Sequence, residues 1–261
     1  MKKYIRRTIE NEIKQGLKEF PVLIITGARQ TGKSTMLLNM FSDYNYITLD
    51  EPFMRSLAVN DPEQFLSNCE EKSVIDEIQY APELLKYIKI QVDKNRRNGR
   101  YILTGSQYFP IMANVTESLA GRACIYELYG LSIDELKIRK MNLDSLFKLL
   151  IRGFYPETAV HNANPQRFYA SYIMTYLERD VRSIMNVQDL KVFQDFIQLL
   201  AARAGSLLNL NEISKECGIS ITTAKKWLSI LESTGIVYLL KPYFKNISKR
   251  VIKNHKLYFC D

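Results

Sequence analysis

A glycine-rich stretch near the start of the chain has the residues needed to hold a phosphate chain. Residues 27–35 read GARQTGKST, the spacing G-x-x-x-x-G-K-[ST], directly after the apolar run Val22–Thr26. Glycines let backbone N–H groups curl around phosphate oxygens, and a helix starting there adds its positive end. Lys33 is then placed to reach the β- and γ-phosphates, and the Ser34 hydroxyl to ligate Mg²⁺. The predicted nucleotide-binding residues are Gly27, Ala28, Arg29, Gln30, Thr31, Gly32, Lys33, Ser34 and Thr35.

Two adjacent carboxylates follow a second apolar run, Ser73–Ile75. If this run is a strand near the first one, Asp76 supports Mg²⁺ through water, as enzymes with such a loop require. Glu77 leaves the strand and can orient and polarise the water that attacks the terminal phosphate. The alternative is an ordinary Asp-Glu turn after a buried strand. The pair points to hydrolysis only because the glycine-rich loop lies upstream.

Two further places are candidates for contact with the terminal phosphate. The run Arg100–Thr104 continues into Gly105-Ser106, so Thr104 or Ser106 can bond the phosphate or the water if this strand lies between the other two. A Gly-Ser turn is the alternative. Arg122, in the stretch SLAGR, is a candidate arginine finger in a second copy or a phosphate sensor in its own chain. Its alternative is a solvated arginine at a helix end, where the dipole favours a cation.

These residues need a parallel sheet to bring them together, and the first half of the chain has that pattern. Short apolar runs alternate with amphipathic stretches, which is typical of an α/β fold with helices on both faces of a five-stranded parallel sheet. The predicted strands are Val22–Thr26, Tyr46–Leu49, Ser73–Ile75, Arg100–Thr104 and Cys124–Leu128. The predicted helices between them are Gly32–Phe41, Phe53–Ser67, Pro82–Lys94 and Pro110–Leu119.

From about Ser132 the strand pattern stops and helical patterns take over. The predicted helices are Leu143–Ile151, Pro165–Ile184, Asp189–Arg203, Leu210–Cys217 and Thr222–Ser233. We therefore predict three parts: a P-loop core with an N-terminal helix over residues 1–131, a helical lid or linker over 132–206, and a winged-helix module over 207–261.

The last part carries most of the net charge. Residues 209–260 hold nine basic and three acidic residues and so contribute +6 of the chain's +8. A helix ending at Gly218, a cap at Ser220, a second helix and two apolar runs are typical of a helix-turn-helix with a wing. A lid or protein-contact module with a merely solvated basic face is the alternative. For DNA binding, Thr222, Thr223, Lys225, Lys226 and Ser229 would enter the major groove, and Lys245, Lys249, Arg250 and Lys253 would meet phosphates.

The composition excludes several classes of protein. With 46% hydrophobic and 25% charged residues, the chain is neither a disordered tail nor a collagen-like fibre nor a coiled coil. Its four cysteines form no C-x-x-C pair, and two histidines are too few for a His-rich metal site. No apolar run approaches the roughly 20 residues needed to cross a bilayer, and the basic start lacks the apolar core of a signal peptide. We therefore expect a cytoplasmic protein that does not act at a membrane.

In their order along the chain, these motifs resemble the AAA+-type branch of P-loop ATPases. More closely, they resemble a bacterial and archaeal family of predicted ATPases in which an AAA-like domain precedes a winged helix and a nuclease-like C-terminal domain. The matching stretches are Thr26–Thr35, Tyr46–Pro52, Val74–Tyr80, Ile102–Gln107, Ser118–Arg122, Tyr176–Val181, Leu207–Leu231 and Lys249–Asp261. The resemblance implies ATP and Mg²⁺ as cofactors and a glycine-loop strand near the centre of the sheet. Family members usually continue beyond the position of Asp261, so no residues here would carry a nuclease role.

Two functions of different classes fit this pattern. The first is a Mg²⁺-dependent ATPase that couples hydrolysis to domain movement. The second is a nucleotide-gated DNA-binding or scaffold switch with little turnover. A homo-oligomer is expected if Arg122 acts on the nucleotide of a second copy, whereas a monomer suffices if it acts in its own chain.

Overall fold

The computed structural model describes residues 4–106, 118–176, 190–243 and 254–261 of the 261-residue chain. The chain divides into two units, Met1–Asn162 and Ala163–Asp261. Within the described ranges, none of the helices combines the length and the apolar character that a membrane span requires. The three-part division predicted from the sequence stays a prediction.

The first unit is built on a five-stranded parallel sheet. Its strands are β1 (Val22–Thr26), β2 (Asn45–Thr48), β3 (Ser73–Asp76), β4 (Tyr101–Thr104) and β5 (Ala123–Glu127). Their order across the sheet is β2-β3-β4-β1-β5, and every neighbouring pair is parallel. This confirms the predicted α/β fold, with β1 inside the sheet and β4 between β3 and β1. All five carboxyl ends therefore meet at one edge.

Helices cover both faces of the sheet, because alternate residues of each buried strand point to opposite sides. The helices before β5 are α1 (Glu10–Glu19), α2 (Lys33–Met40), α3 (Pro52–Asn60), α4 (Pro62–Ser67) and α5 (Leu84–Lys94). On β1, Ile24 faces the apolar core shared with α3, α4 and α5, whereas Leu23 and Ile25 face the core shared with α1 and α2.

One predicted helix is two helices in the structure. The stretch Phe53–Ser67 breaks at Asp61, between α3 and α4. Pro62 has no N–H to donate and fits the first position of a new helix, while the Asp61 side chain accepts a bond from the Gln64 N–H and caps it. The helix predicted over Pro110–Leu119 lies outside the described residues except for its last two positions.

Two more helices, α6 (Leu143–Arg152) and α7 (Pro156–Ala159), end the first unit. Asn142 and Ser145 form a reciprocal cap at the start of α6, which fixes where this helix begins. Between them the chain returns to the segment after β5, where the Leu131 N–H donates to the Phe154 carbonyl at 2.7 Å.

The second unit is mainly helical. It contains α8 (Pro165–Tyr176), α9 (Leu190–Ala202), α10 (Leu210–Glu216), α11 (Ile221–Ser233) and an antiparallel pair of strands, β6 (Val237–Leu240) and β7 (Lys256–Phe259). Its core includes an aromatic cluster in which Trp227 meets Phe193 and Phe196 edge-on, with ring centroids 5.0 and 5.5 Å away.

The order of the last elements is the one predicted from the sequence. A turn at Gly218 joins α10 to α11, and the Ser220 hydroxyl caps α11 by accepting from the Thr223 N–H at 3.0 Å. On α11, Thr222, Lys225, Lys226 and Ser229 are exposed and Thr223 is half-buried. Lys245, Lys249, Arg250 and Lys253 lie outside the described residues, as does most of the family-like stretch Tyr176–Val181. A winged-helix identity for this module stays a prediction.

Candidate nucleotide-binding site

The glycine-rich loop connects the end of β1 to the start of α2, as the sequence predicted. Gly32 has a φ of 93° and occupies the cap position of α2, a conformation that glycine adopts without strain. Gly27 has a φ of 140°, and a Cβ there would collide with the Leu128 carbonyl oxygen. The first glycine is therefore required by the close approach of the chain after β5, in addition to any need for backbone to approach phosphate.

Lys33 is folded over the loop. It is buried, and its ammonium donates to the carbonyl oxygens of Gly27 at 2.7 Å and Ala28 at 2.9 Å. The charge is thus held directly above the loop backbone, at the positive end of α2. Both features favour an anion in this position.

Asp76 is the meeting point of four elements at this edge of the sheet. Its Oδ2 accepts a hydrogen bond from the Ser34 hydroxyl at 2.9 Å and another from the Tyr46 hydroxyl. Its Oδ1 accepts from the Thr104 hydroxyl on the neighbouring strand β4. The structure therefore brings together Ser34, Asp76 and Thr104, which the sequence had selected separately, and adds Tyr46, which it had not.

Glu77 leaves β3 in a left-handed backbone conformation, with φ 61° and ψ 44°. This conformation is costly for a residue with a Cβ and is typical of functional sites. It directs the carboxylate toward the loop, where Glu77 Oε1 lies 3.8 Å from Arg29 Nη1. Burial raises the pKa of Glu77 above its usual value, although the charges of Arg29 and Lys33 oppose the effect.

Gln79 links Glu77 to Ser106. Its side-chain amide donates to Glu77 Oε2 and to the Ser106 hydroxyl, the latter at 3.2 Å. Its own carbonyl oxygen is buried and accepts no hydrogen bond from the described residues. Gln79 was not among the site residues predicted from the sequence; its position in VIDEIQY, two residues after the second carboxylate, was the available signal.

Arg122 lies at the opposite edge of the sheet. It precedes β5, and its carbonyl accepts from the N–H of Val22, the first residue of β1. Its guanidinium forms a two-pronged pair with Asp93, with Nε–Oδ1 at 2.6 Å and Nη2–Oδ2 at 3.0 Å. The glycine-rich loop begins at the opposite end of β1, a strand of five residues with a rise of about 3.3 Å each. The structure therefore does not bring Arg122 to the loop of its own chain, where a phosphate sensor would have to lie. Its other predicted role, as an arginine finger for a second copy, stays a prediction.

Arg7 contacts the loop but was not among the predicted site residues, because the basic N-terminal stretch has no motif that indicates such a contact. It is buried, and its guanidinium donates to the Thr31 carbonyl of the loop at 2.9 Å. The same group donates to the Tyr129 and Gly130 carbonyls after β5 at 2.7 and 2.9 Å. Arg7 thus ties the N-terminal segment, the loop and the chain after β5 to one another.

Glu135 balances the charge of Arg7. Its Oε2 lies 3.1 Å from Arg7 Nε, and its carboxylate accepts from the backbone N–H groups of Thr8 at 2.7 Å and Ser132 at 2.8 Å. Burial opposes ionisation, but these N–H donors and Arg7 outweigh it and lower the pKa of Glu135 below its usual value. A cavity of about 800 Å³ opens here, lined by Tyr4, Ile5, Arg6, Arg7, Thr8, Asn11, Asp134, Glu135, Leu136 and Lys137.

A G-x-x-x-x-G-K-[ST] loop at the end of an interior parallel strand, with a carboxylate from another strand on its serine, is the arrangement of the P-loop fold. Residues 19–137 match the family model described as "AAA domain", and residues 143–261 match one described as "Domain of unknown function (DUF8612)". Residues 19–137, which lie in the first unit, are therefore similar to an AAA domain and have the P-loop fold.

Two curated relatives match nearly the whole chain. They are the uncharacterized proteins Rv2008c of Mycobacterium tuberculosis and Mb2031c of Mycobacterium bovis, each 29% identical over 259 residues. The match covers 98% of this chain but 58% of each relative, so the chain spans little more than half their length. Among solved structures, the Walker-type ATPase PABY2304 of Pyrococcus abyssi has the same fold, with a TM-score of 0.61 at 14% identity over 98% of this chain and 94% of that one.

Proposed function

We propose that the protein is a Mg²⁺-dependent ATPase of the cytoplasm that couples its nucleotide state to movement of the helical second unit. The main support is that Lys33, Ser34, Asp76 and Glu77 lie together at one edge of the sheet. Loop N–H groups and Lys33 would hold the phosphates, and Glu77 would activate the attacking water.

Ser34 and Asp76 are the residues that would hold the metal ion. They offer a hydroxyl and a carboxylate 2.9 Å apart, the oxygen donors that Mg²⁺ prefers. Within the described residues no group of three or more His, Cys, Asp or Glu side chains could bind a metal ion. The remaining ligands of Mg²⁺ would be phosphate oxygens and water. Bound there, Mg²⁺ would neutralise charge on the β- and γ-phosphates.

Thr104 and Ser106 support the same reaction from β4. Thr104 bonds Asp76, and Ser106 is linked to Glu77 through Gln79. The Thr104 hydroxyl is thus beside Asp76, and the Ser106 hydroxyl shares the Gln79 amide with Glu77, so either hydroxyl could bond the water or the transferred phosphate.

The cavity beside the loop could hold the nucleoside part of ATP. Arg7 lines this cavity and also contacts the Thr31 carbonyl of the loop. Backbone and side-chain polar groups of residues 4–8 and 134–137 could read the edge of a base there. The guanine-reading pattern N-K-x-D is absent from the sequence, which favours ATP over GTP.

ATP turnover and ATP binding in two variants test this proposal. Lys33→Ala should abolish tight ATP binding, whereas Glu77→Gln should bind ATP and lose about 100-fold or more in turnover, the loss of a general base. Lys14→Ala and Glu63→Gln, at exposed positions of α1 and α4, are the matched controls. Equal turnover in wild type, K33A and E77Q would refute the proposal.

DNA binding by α11 is the second candidate function. Its support is the exposed row of Thr222, Lys225, Lys226 and Ser229 on the second helix of a helix-turn-helix arrangement. A gel-shift titration with salt tests it, since phosphate contacts make affinity fall steeply as salt rises. The double variant K225A/K226A should bind more weakly, with a shallower salt slope, than Lys215→Ala on α10. Absence of binding at low salt would exclude this function.

A further inference from the structure

The carboxylate of Asp76 is held by donors of two kinds. Ser34 belongs to the glycine-rich loop and is itself a predicted ligand of the metal ion. Tyr46 and Thr104 belong to β2 and β4, the strands on either side of β3, and are fixed by the sheet ladder. Two of these three donors to Asp76 therefore come from the neighbouring strands of the sheet and one comes from the loop.

Tyr46 contacts Asp76 although it is not the residue directly opposite Asp76 on β2. Its register partner is Val74, and Thr48 is the partner of Asp76, so the phenol ring extends along the sheet to place its hydroxyl on Oδ2. The ring is half-buried. A phenol is protonated at neutral pH, so the Tyr46 hydroxyl acts as the donor in its hydrogen bond to Asp76.

We propose that Tyr46 is a positioning residue of the metal site, which fixes the Asp76 carboxylate in the orientation that supports Mg²⁺ beside Ser34. The inference rests on the proposed function and names a residue outside the glycine-rich loop and the Asp-Glu pair. Outer partners that orient a metal-supporting carboxylate typically contribute 10- to 100-fold to metal affinity. Loss of the hydroxyl should therefore weaken Mg²⁺ binding without weakening the hold of the loop on phosphate.

Tyr44 offers a matched control in the same segment. It is also half-buried, and its hydroxyl donates at 2.7 Å to the Gly99 carbonyl, at the amino edge of the sheet. Tyr44→Phe and Tyr46→Phe remove the same atom, a phenolic oxygen whose hydrogen is donated to Gly99 in the first case and to Asp76 in the second. Only the second change touches Asp76.

The experiment is a fluorescence titration of the full chain with mant-ATP, first in EDTA and then over a series of MgCl₂ concentrations. Y46F should raise the Mg²⁺ concentration for half-maximal tightening about 10-fold or more, with mant-ATP affinity in EDTA as in wild type. Y44F should behave as wild type in both. Tyr46→His, which keeps a donor on a ring, should recover part of the lost Mg²⁺ affinity.

A Mg²⁺ response of Y46F equal to that of wild type or of Y44F would overturn the inference while leaving the proposed function intact. Failure of wild type to bind mant-ATP, or binding that ignores Mg²⁺, would instead refute the proposed function and the inference together. Thermal melting without nucleotide checks that each variant is folded. If Y46F is not, Tyr46→Leu takes its place in the comparison with Y46H, and equal responses of these two would again overturn the inference.

Discussion

The two edges of the parallel sheet carry the same kinds of charged side chain in different surroundings. At the amino edge the ion pairs face water; they are Arg122–Asp93, Lys72–Asp43 and Arg97–Glu71. At the carboxyl edge the charged groups are buried; they include Arg7, Lys33, Asp76 and Glu135. Water screens the first set, so each pair adds little to stability, whereas a buried charge is costly once a partner is lost. The sheet thus places its buried charges at the edge that holds the candidate nucleotide-binding site.

The backbone shows the same difference. Four described residues other than glycine have a positive φ, and two of them, Gln30 and Glu77, belong to the carboxyl-edge site. Such conformations cost of order 1–3 kcal/mol each and persist where the surroundings enforce them. The amino edge makes its turns with glycine, at Gly99 and Gly121.

The largest expected effect comes from removing a buried charge. Arg7→Ala would leave Glu135 without its cation and three carbonyls without a donor, so we expect a loss of about 3–5 kcal/mol in the free energy of unfolding. Urea unfolding measures it. Arg122→Ala, at the amino edge, is the control and should barely move the midpoint. Similar losses in both variants would contradict the distinction between the edges.

A smaller effect, on catalysis alone, is expected at Gln79. Gln79→Leu keeps the volume of the side chain but removes the donor shared by Glu77 and Ser106, so turnover should fall roughly 10- to 100-fold. Affinity for mant-ATP should stay as in wild type. Gln64→Leu, exposed on α4, is the control. A change in affinity with turnover unaltered would show that Gln79 serves the loop and not Glu77.

Lowering the pH should reduce the contribution of the buried Glu135 carboxylate to the free energy of unfolding. Because the pKa of Glu135 is lower in the folded chain than in the unfolded one, it contributes stability above the unfolded value, about 4.3, and loses it as pH falls through the lower folded value. Urea unfolding from pH 6 to pH 3 should therefore show the gap between wild type and Glu135→Gln shrinking below about pH 4.5. A gap that stays constant over this range would mean that Glu135 titrates normally.

The smallest effect on the single chain is expected at Arg122. If it acts on the nucleotide of a second copy, Arg122→Ala should leave mant-ATP affinity and stability unchanged but lower turnover wherever copies assemble. Mass measurement with and without nucleotide, together with turnover at several protein concentrations, tests this. A turnover per chain that is independent of concentration, in a protein that stays monomeric, would exclude the role.

Much of the site could be predicted because its signals are local. The glycine-rich loop, the Asp-Glu pair and the hydroxyls after Arg100–Thr104 each follow an apolar run, and parallel strands bring such positions to one edge. Strand ends were predicted to within one residue for the same reason. The break at Asp61 was missed although Pro62 was visible, because the apolar pattern continues on both sides of it.

The site residues that were not predicted contact partners far away in the sequence, and the spacing of motifs along the chain does not indicate such contacts. Arg7 reaches Gly130 across most of the unit, and Tyr46 reaches Asp76 from an adjacent strand. Neither residue type is unusual in its local sequence. The placement of Arg122 could have been anticipated, since a residue before a parallel strand lies at the edge opposite a loop that follows one.

Trp227 gives the protein a built-in optical reporter. It is the single tryptophan of the chain, it is 6% exposed, and it lies in the second unit between Phe193 and Phe196. The glycine-rich loop belongs to the first unit. A change in tryptophan emission, excited at a wavelength that tyrosine does not absorb, on adding ATP to the unlabelled protein would therefore record a signal that has travelled from one unit to the other.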